Sequence, residues 1–176
     1  MSGSGCDIIE DTPVKVVCAV AAGRKVLCVG MGFASGRQAV AYAMRLTGMT
    51  KLDLHPNEAG RQLREYFAGI RREFDLEPVL GGVPPFHAEV LRACEAIGYG
   101  RLSTYGALAA AAGSPKASRA AGAALAQNPV GIIIPCHRVV SKRGPGGFSA
   151  SGGLATKFAL LDLEGIDTNT LSGAGR

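Results

Sequence analysis

Two apolar runs open the chain, Val14-Lys15-Val16-Val17-Cys18-Ala19-Val20 and Lys25-Val26-Leu27-Cys28-Val29-Gly30, split by Ala21-Ala22-Gly23-Arg24. Short runs rich in β-branched residues and broken at a glycine predict a β-hairpin. Gln38 to Thr47 then reads as a helix. A second helix opens after His55-Pro56-Asn57 and runs from Glu58 to Phe67 with mixed charges on its outer face. The stretch Glu77-Pro78-Val79-Leu80-Gly81-Gly82-Val83-Pro84-Pro85 breaks regular structure and marks the domain boundary. The first part is thus a small α+β unit, residues 1–80, with nothing in it that looks like a site.

Residues 84–170 are mostly helical. Pro85 to Cys94 predicts a helix that stops at Ile97-Gly98-Tyr99-Gly100. Ser103 is the expected cap of the next, Thr104 to Ala112, which ends at Gly113. Ser114-Pro115 pairs a cap with proline at the first helical position, predicting a third helix through Lys116 to Ala126, stopped by Asn128-Pro129. Two short helices joined by a tight Gly-Ser turn have the outline of a helix-turn-helix. The second of them is alanine and glycine nearly throughout, so its backbone can approach a partner closely or pack tightly within the domain. Arg119 is its one long cation past the first turn.

At 47% hydrophobic and 19% charged residues, the 176-residue chain lies in the ordinary globular range. No apolar run approaches the ~20 residues of a membrane span, and Met1-Ser2-Gly3-Ser4-Gly5-Cys6-Asp7 lacks the pattern of a secretory leader. A cytoplasmic protein is expected, nuclear if the source cell has a nucleus. Five cysteines at irregular spacing, with no C-x-x-C pair, argue against a disulfide framework or a zinc ribbon. Cys18 and Cys28 sit on the two arms of the predicted hairpin and read as small buried hydrophobes.

The distribution of charge changes the picture more than its total of +5. Residues 1–83 carry ten Lys/Arg against nine Asp/Glu, whereas the 66 residues between Glu95 and Asp162 hold seven Lys/Arg and no acid. A surface without carboxylates suits a polyanion, since each acid near a phosphate costs affinity. It favours a nucleic-acid partner over a core that merely lacks charge.

Inside that acid-free span lies Ile132-Ile133-Ile134-Pro135-Cys136-His137-Arg138-Val139-Val140. The flanks read as buried strand, and the proline forces an extended or turn conformation before the cysteine. In an extended strand neighbouring side chains point to opposite faces, so Cys136 and His137 form no dyad without a turn. From the residues alone the pair is either structural or an activated thiol with imidazole as proton acceptor.

The sequence resembles the O6-alkylguanine-DNA alkyltransferase family from about Pro85 to Ile166, in four blocks in register. These are Ser103-Thr104-Tyr105-Gly106 with Gly113 to Ala120, then Asn128 to Val139, then Ser151-Gly152-Gly153-Leu154-Ala155-Thr156-Lys157, then Leu161-Asp162-Leu163-Glu164-Gly165. The resemblance implies an α+β protein: a ribonuclease-H-like first domain, then a winged-helix-like domain with a helix-turn-helix. It implies a monomeric, single-turnover DNA repair protein acting on double-stranded DNA that carries O6-alkylguanine, and O4-alkylthymine as well. By the same resemblance Cys136 accepts the alkyl group, His137 takes the thiol proton through a water, and Glu164 orients the imidazole. Arg119 fills the space left by the flipped base, Tyr105 helps rotate the 3′ phosphate and hydrogen-bonds the guanine, and Asn128 braces the active-site turn. The Val139 carbonyl accepts from the guanine amine, while Arg138, Ser151 and Lys157 join the substrate and DNA contacts. No metal or cofactor is implied.

The chain departs from the family at Gly131, where many members have a second proline, which leaves the wall of the alkyl pocket looser. The loop from Ser141 to Ser151 is longer than usual, and the serine meeting guanine O6 is Ser151 or Ser149, with Ser151 preferred. Phe148 replaces a frequent tyrosine. Two rival readings are a non-catalytic alkyltransferase-like lesion sensor, whose members lack the acceptor cysteine, and a cysteine hydrolase using Cys136, His137 and a carboxylate.

Overall fold

The computed structural model describes residues 4–172; the first three residues of the stretch read for a leader lie outside them. Packing divides the chain into two compact units. One comprises the residues up to Val79 with Pro129–Ile133 and Ala150–Gly152, the other Leu80–Asn128, Ile134–Ser149 and the chain from Gly153 onward.

The first unit is built on a five-stranded sheet in the order β4-β1-β2-β3-β5. Strands β1 (Gly5–Thr12), β2 (Lys15–Ala22) and β3 (Lys25–Phe33) form an antiparallel meander, so the predicted hairpin is the centre of the sheet. The additional strand β1 carries the Cys6-Asp7-Ile8-Ile9 run, whose apolar content was too short to announce it. Two-residue strands β4 (Asp53–Leu54) and β5 (Glu77–Pro78) run parallel to β1 and β3 at the edges. Helix α1 (Gly36–Thr47) is capped by Ser35, whose side chain accepts from Gln38 N, and ends at left-handed Gly48. Its Ala39 and Ala43 pack on Cys6, Cys18, Val20, Cys28 and Phe33.

Helix α2 (Glu58–Phe67) is capped by Asn57 and buries Leu63 and Tyr66. Arg64 on this helix donates two hydrogen bonds, 2.8 and 2.7 Å, to the buried Asp7 carboxylate of β1. All five cysteines are free thiols; Cys18 on β2 and Cys28 on β3 are fully buried.

In the second unit α3 (Pro85–Glu95) packs against α4 (Tyr105–Ala111) and α5 (Ser118–Ala126). The cap of α4 is Thr104 rather than Ser103: the Thr104 hydroxyl accepts from Ala107 N at 3.1 Å. Helix α5 starts at Ser118, later than Ser114-Pro115 suggested, because residues 115–116 form a turn closed by Ala117 N donating to Ser114 O at 2.9 Å. A parallel pair, β6 (Ser103–Thr104) with β7 (Val139–Val140), is followed by α6 (Leu154–Leu163) and α7 (Asn169–Ser172). The protein is α+β, and among the described residues no helix is long and apolar enough to cross a membrane.

Candidate active site

The reactive segment is a succession of turns rather than the strand its apolar flanks suggested. Ile133 N donates to Gly131 O at 2.9 Å across Ile132, which sits at φ 70°. That is the rare, strained form of the γ-turn, adopted here by a β-branched residue. Gly131 itself donates to Val29 O at 3.2 Å, a bond a proline could not make, and a Cβ at this position would lie 2.3 Å from Met31 Cε. Gly131 therefore answers to backbone pairing with β3, and the looser pocket wall expected from it does not follow.

Pro135, at φ −83° and ψ 63°, is the centre of an inverse γ-turn closed by Cys136 N donating to Ile134 O at 2.8 Å. Asn128 Nδ2 donates to that same carbonyl at 2.8 Å, which places Asn128 where it braces the turn. The chain then winds into the 3-10 turn Cys136–Arg138, closed by Arg138 N to Pro135 O at 2.9 Å. A turn removes the opposed-face problem that an extended strand would have imposed on Cys136 and His137.

Behind this turn stands one buried carboxylate. Glu164 accepts from His137 Nε2 at 2.8 Å, from Arg138 Nε and Nη2 at 2.8 Å each, and from the Gly100 amide at 3.1 Å. Arg138 also donates to Ile97 O and lies over the Tyr99 ring, 5.8 Å from its centroid. The Tyr99 hydroxyl donates to Leu163 O at 2.9 Å. Burial alone would raise the Glu164 carboxyl, but the hydrogen bonds and charge of His137 and Arg138 bring it down to about 2. His137 is fully buried, and loss of water pushes its pKa below the ordinary value against the pull of Glu164.

Arg138 thus balances the carboxylate while the imidazole stays neutral. Because an ionised carboxylate only accepts, the Nε2 atom carries the ring proton. Nδ1 keeps a lone pair and has no hydrogen-bond partner among the described residues.

Cys136 is half-buried and lines a cavity of about 420 Å³ with Tyr105, Gly122, Leu125, Ala126, Gly147, Phe148 and Ser149. Burial raises its thiol pKa; the Asn128 side chain, the Lys157 charge and the backbone N–H groups of Cys136 and His137 oppose that without reversing it. The resting thiol is protonated and needs a base. The Tyr105 hydroxyl donates to Gly147 O at 3.1 Å, and burial raises its pKa. Gly146 turns the loop at φ 71°, where a Cβ would lie 2.8 Å from the Tyr105 ring.

Cys136, His137, Glu164, Asn128 and Tyr105 are therefore gathered at one place, and Arg119 is exposed on the first turn of α5. Three other expected contact residues are placed as follows. Arg138 is buried and bonded to Glu164 and Ile97. Lys157 is fully buried, donating to Val139 O at 2.6 Å and Pro145 O at 2.5 Å. Ser149 rather than Ser151 lines the cavity, its hydroxyl donating to Ala126 O at 3.2 Å; Ser151 groups with the first unit. The Val139 carbonyl already accepts from Lys157. Sequence reasoning missed Ile97, Tyr99 and Gly100, read only as a helix stop; the sole signal was the Gly-Tyr-Gly cluster itself.

The buried charges make stability depend on acid. Glu164 titrates near 4.5 when unfolded and about 2 when folded, so its contribution is present above the first value and lost as pH falls through the second. His137, also depressed, adds a loss in the same direction below its unfolded value near 6.5. Urea midpoints are expected to fall from neutrality to about pH 3, with Glu164 contributing on the order of 3 kcal/mol. At neutral pH Glu164→Gln is expected to cost ~3 kcal/mol or more, because it strands the Arg138 charge; an unchanged midpoint contradicts the charge assignment.

A family model described as "6-O-methylguanine DNA methyltransferase, DNA binding domain" matches residues 85–166. A methylated-DNA–protein-cysteine methyltransferase of Methanosarcina acetivorans is 47% identical over 108 residues, 61% of this chain and 68% of that protein. One from Mycolicibacterium paratuberculosis is 38% identical over 146 residues, 77% of this chain and 87% of that protein. Among solved structures, Mycobacterium tuberculosis OGT in complex with DNA superposes with a TM-score of 0.74 at 32% identity, covering 96% of this chain and 99% of that one. With a half-buried thiol next to a buried His-Glu pair and this likeness along both units, the chain belongs to the 6-O-methylguanine DNA methyltransferase family, the methylated-DNA–protein-cysteine methyltransferases.

Proposed function

We propose that the protein repairs O6-alkylguanine in double-stranded DNA by moving the alkyl group onto its own Cys136, once per molecule. The observation that carries the reading is a thiol lining a cavity of about 420 Å³, followed in the chain by a neutral imidazole whose Nε2 is held to Glu164. It acts as a monomer in the cytoplasm, and O4-alkylthymine is a second substrate.

The thiol cannot reach O6 inside the base stack, so the nucleotide must be rotated into the cavity. Arg119, free of the core on thin helix α5, fills the gap left in the duplex. His137 Nδ1 takes the Cys136 proton through a water, and Glu164 stabilises the imidazolium that forms. The thiolate attacks the alkyl carbon in line; the S–C bond forms as the C–O6 bond breaks, and the electron pair returns to the guanine. The Tyr105 O–H donates to the departing base. The thioether has no easy hydrolytic exit, so turnover stops at one.

Mixed with duplex carrying labelled O6-methylguanine, the protein is expected to take up one equivalent of label on Cys136 and no more. Cys136→Ala takes none while binding DNA with little change; label beyond one equivalent, or uptake by the variant, contradicts the assignment. Arg119→Ala is expected to slow transfer from duplex at least tenfold and transfer from the free modified base far less, since flipping costs a few kcal/mol only in the duplex. Equal slowing in both assays rejects the finger role.

A further inference from the structure

One short segment between α3 and β6 grips the ion pair behind His137 at several points. The Ile97 carbonyl accepts from Arg138 Nη1, and the Gly100 amide donates to Glu164 Oε2 at 3.1 Å. Between them Tyr99 reaches both partners. Its ring lies under the Arg138 guanidinium, 5.8 Å from the centroid, and its hydroxyl donates at 2.9 Å to Leu163 O, one residue before Glu164. Ile97 and Gly100 act through their backbones; Tyr99 acts through a half-buried side chain, so a substitution reaches it. A ring face attracts a guanidinium, and more strongly where water is scarce; Arg138 is itself buried. Without the ring, water competes for the N–H groups that now meet Glu164. The carboxylate then draws its balancing charge from the imidazole that also bonds it.

The groups facing this pair come from three elements. Glu164, at the end of α6, favours a proton on His137, while Arg138 in the turn and Lys157 on α6 oppose one. Cys136 lies in the same turn, and Cys94 on α3 faces both Cys136 and Arg138; burial keeps both thiols neutral. Lys157 donates to backbone carbonyls, so in this set Arg138 is the cation on the carboxylate. We propose that Tyr99 is a positioning residue: its ring and hydroxyl hold Arg138 against Glu164, so that the guanidinium and not His137 balances the carboxylate. Its consequence for repair rests on the reading of His137 as the base toward Cys136.

The test takes two pH profiles on the full chain. One is the nitrogen-15 NMR titration of His137; the other is the rate of Cys136 alkylation by free O6-benzylguanine, followed by intact mass. In Tyr99→Leu the His137 titration and the acid limb of the rate are both expected to move up by about one pH unit. Tyr99→Phe, which keeps the ring, is expected to recover most of that shift. A merely structural role lowers the rate by one factor at every pH and moves neither curve, an outcome that overturns the proposal. Should Tyr99→Leu not fold, a trifluorinated phenylalanine at position 99 decides, because fluorine cancels the negative ring face and keeps the shape. Relative to Tyr99→Phe it is expected to move both curves up; unmoved curves overturn the proposal. If the His137 titration moves and the alkylation limb does not, the hold of Tyr99 on the pair stands and the base role of His137 fails.

Discussion

Glu164 is a carboxylate with almost no access to water, and such a group persists in a fold only when its lone pairs are filled by good donors. Here two Arg138 N–H groups, the Gly100 amide and the His137 ring fill them. Because Arg138 supplies the balancing charge, the histidine need not, and it stays neutral with its proton fixed on Nε2. The position of the basic lone pair on Nδ1 is thus dictated from behind by a salt bridge that touches no substrate. Removing the arginine would leave the carboxylate to protonate the histidine instead, and a histidine already carrying a proton cannot take one from a thiol.

The cavity in front of that assembly is made by short polar ties on an otherwise small-residue frame. Asn128 and Cys136 N meet on one carbonyl, Ile134 O, which fixes the turn. Lys157 meets two carbonyls, Val139 O and Pro145 O. Helix α5 contributes Leu125 together with Gly122 and Ala126, the last two too small to intrude on the space. A site assembled this way keeps its thiol neutral and its base neutral until a substrate arrives, consistent with a raised thiol and a depressed imidazole.

Much of this was legible in the residues, and the exceptions have physical causes. The hairpin was visible in its β-branched runs broken at a glycine, and α2 in its start after His55-Pro56-Asn57 and its mixed charges. Strand β1 was not, since it takes its place by pairing with β2 and by burying Asp7 against Arg64, a contact 57 positions away in the chain. The Ile132 to Ile134 run looked like strand because propensity reports side chains, whereas a left-handed Ile132 and an inverse γ-turn at Pro135 are set by what the backbone must bond to. Cys136, His137 and Glu164 came from the motif. The resemblance put Arg138 and Lys157 among the substrate and DNA contacts; only packing reveals that both are buried donors to groups within the protein. Ser149 displaced Ser151 for a similar reason, as the path of a long loop is not written in its residue types.

The central claim is that His137 stands neutral, protonated at Nε2 and bare at Nδ1, at the pH where the protein works. With only three histidines in the chain, nitrogen-15 NMR of the labelled ring reads this directly. The account predicts, at neutral pH, one nitrogen of His137 bonded to hydrogen at Nε2 and a second, pyridine-like signal at Nδ1, both holding until the solution is more acid than the free imidazole value. A doubly protonated ring at neutral pH, or the proton on Nδ1, would contradict it.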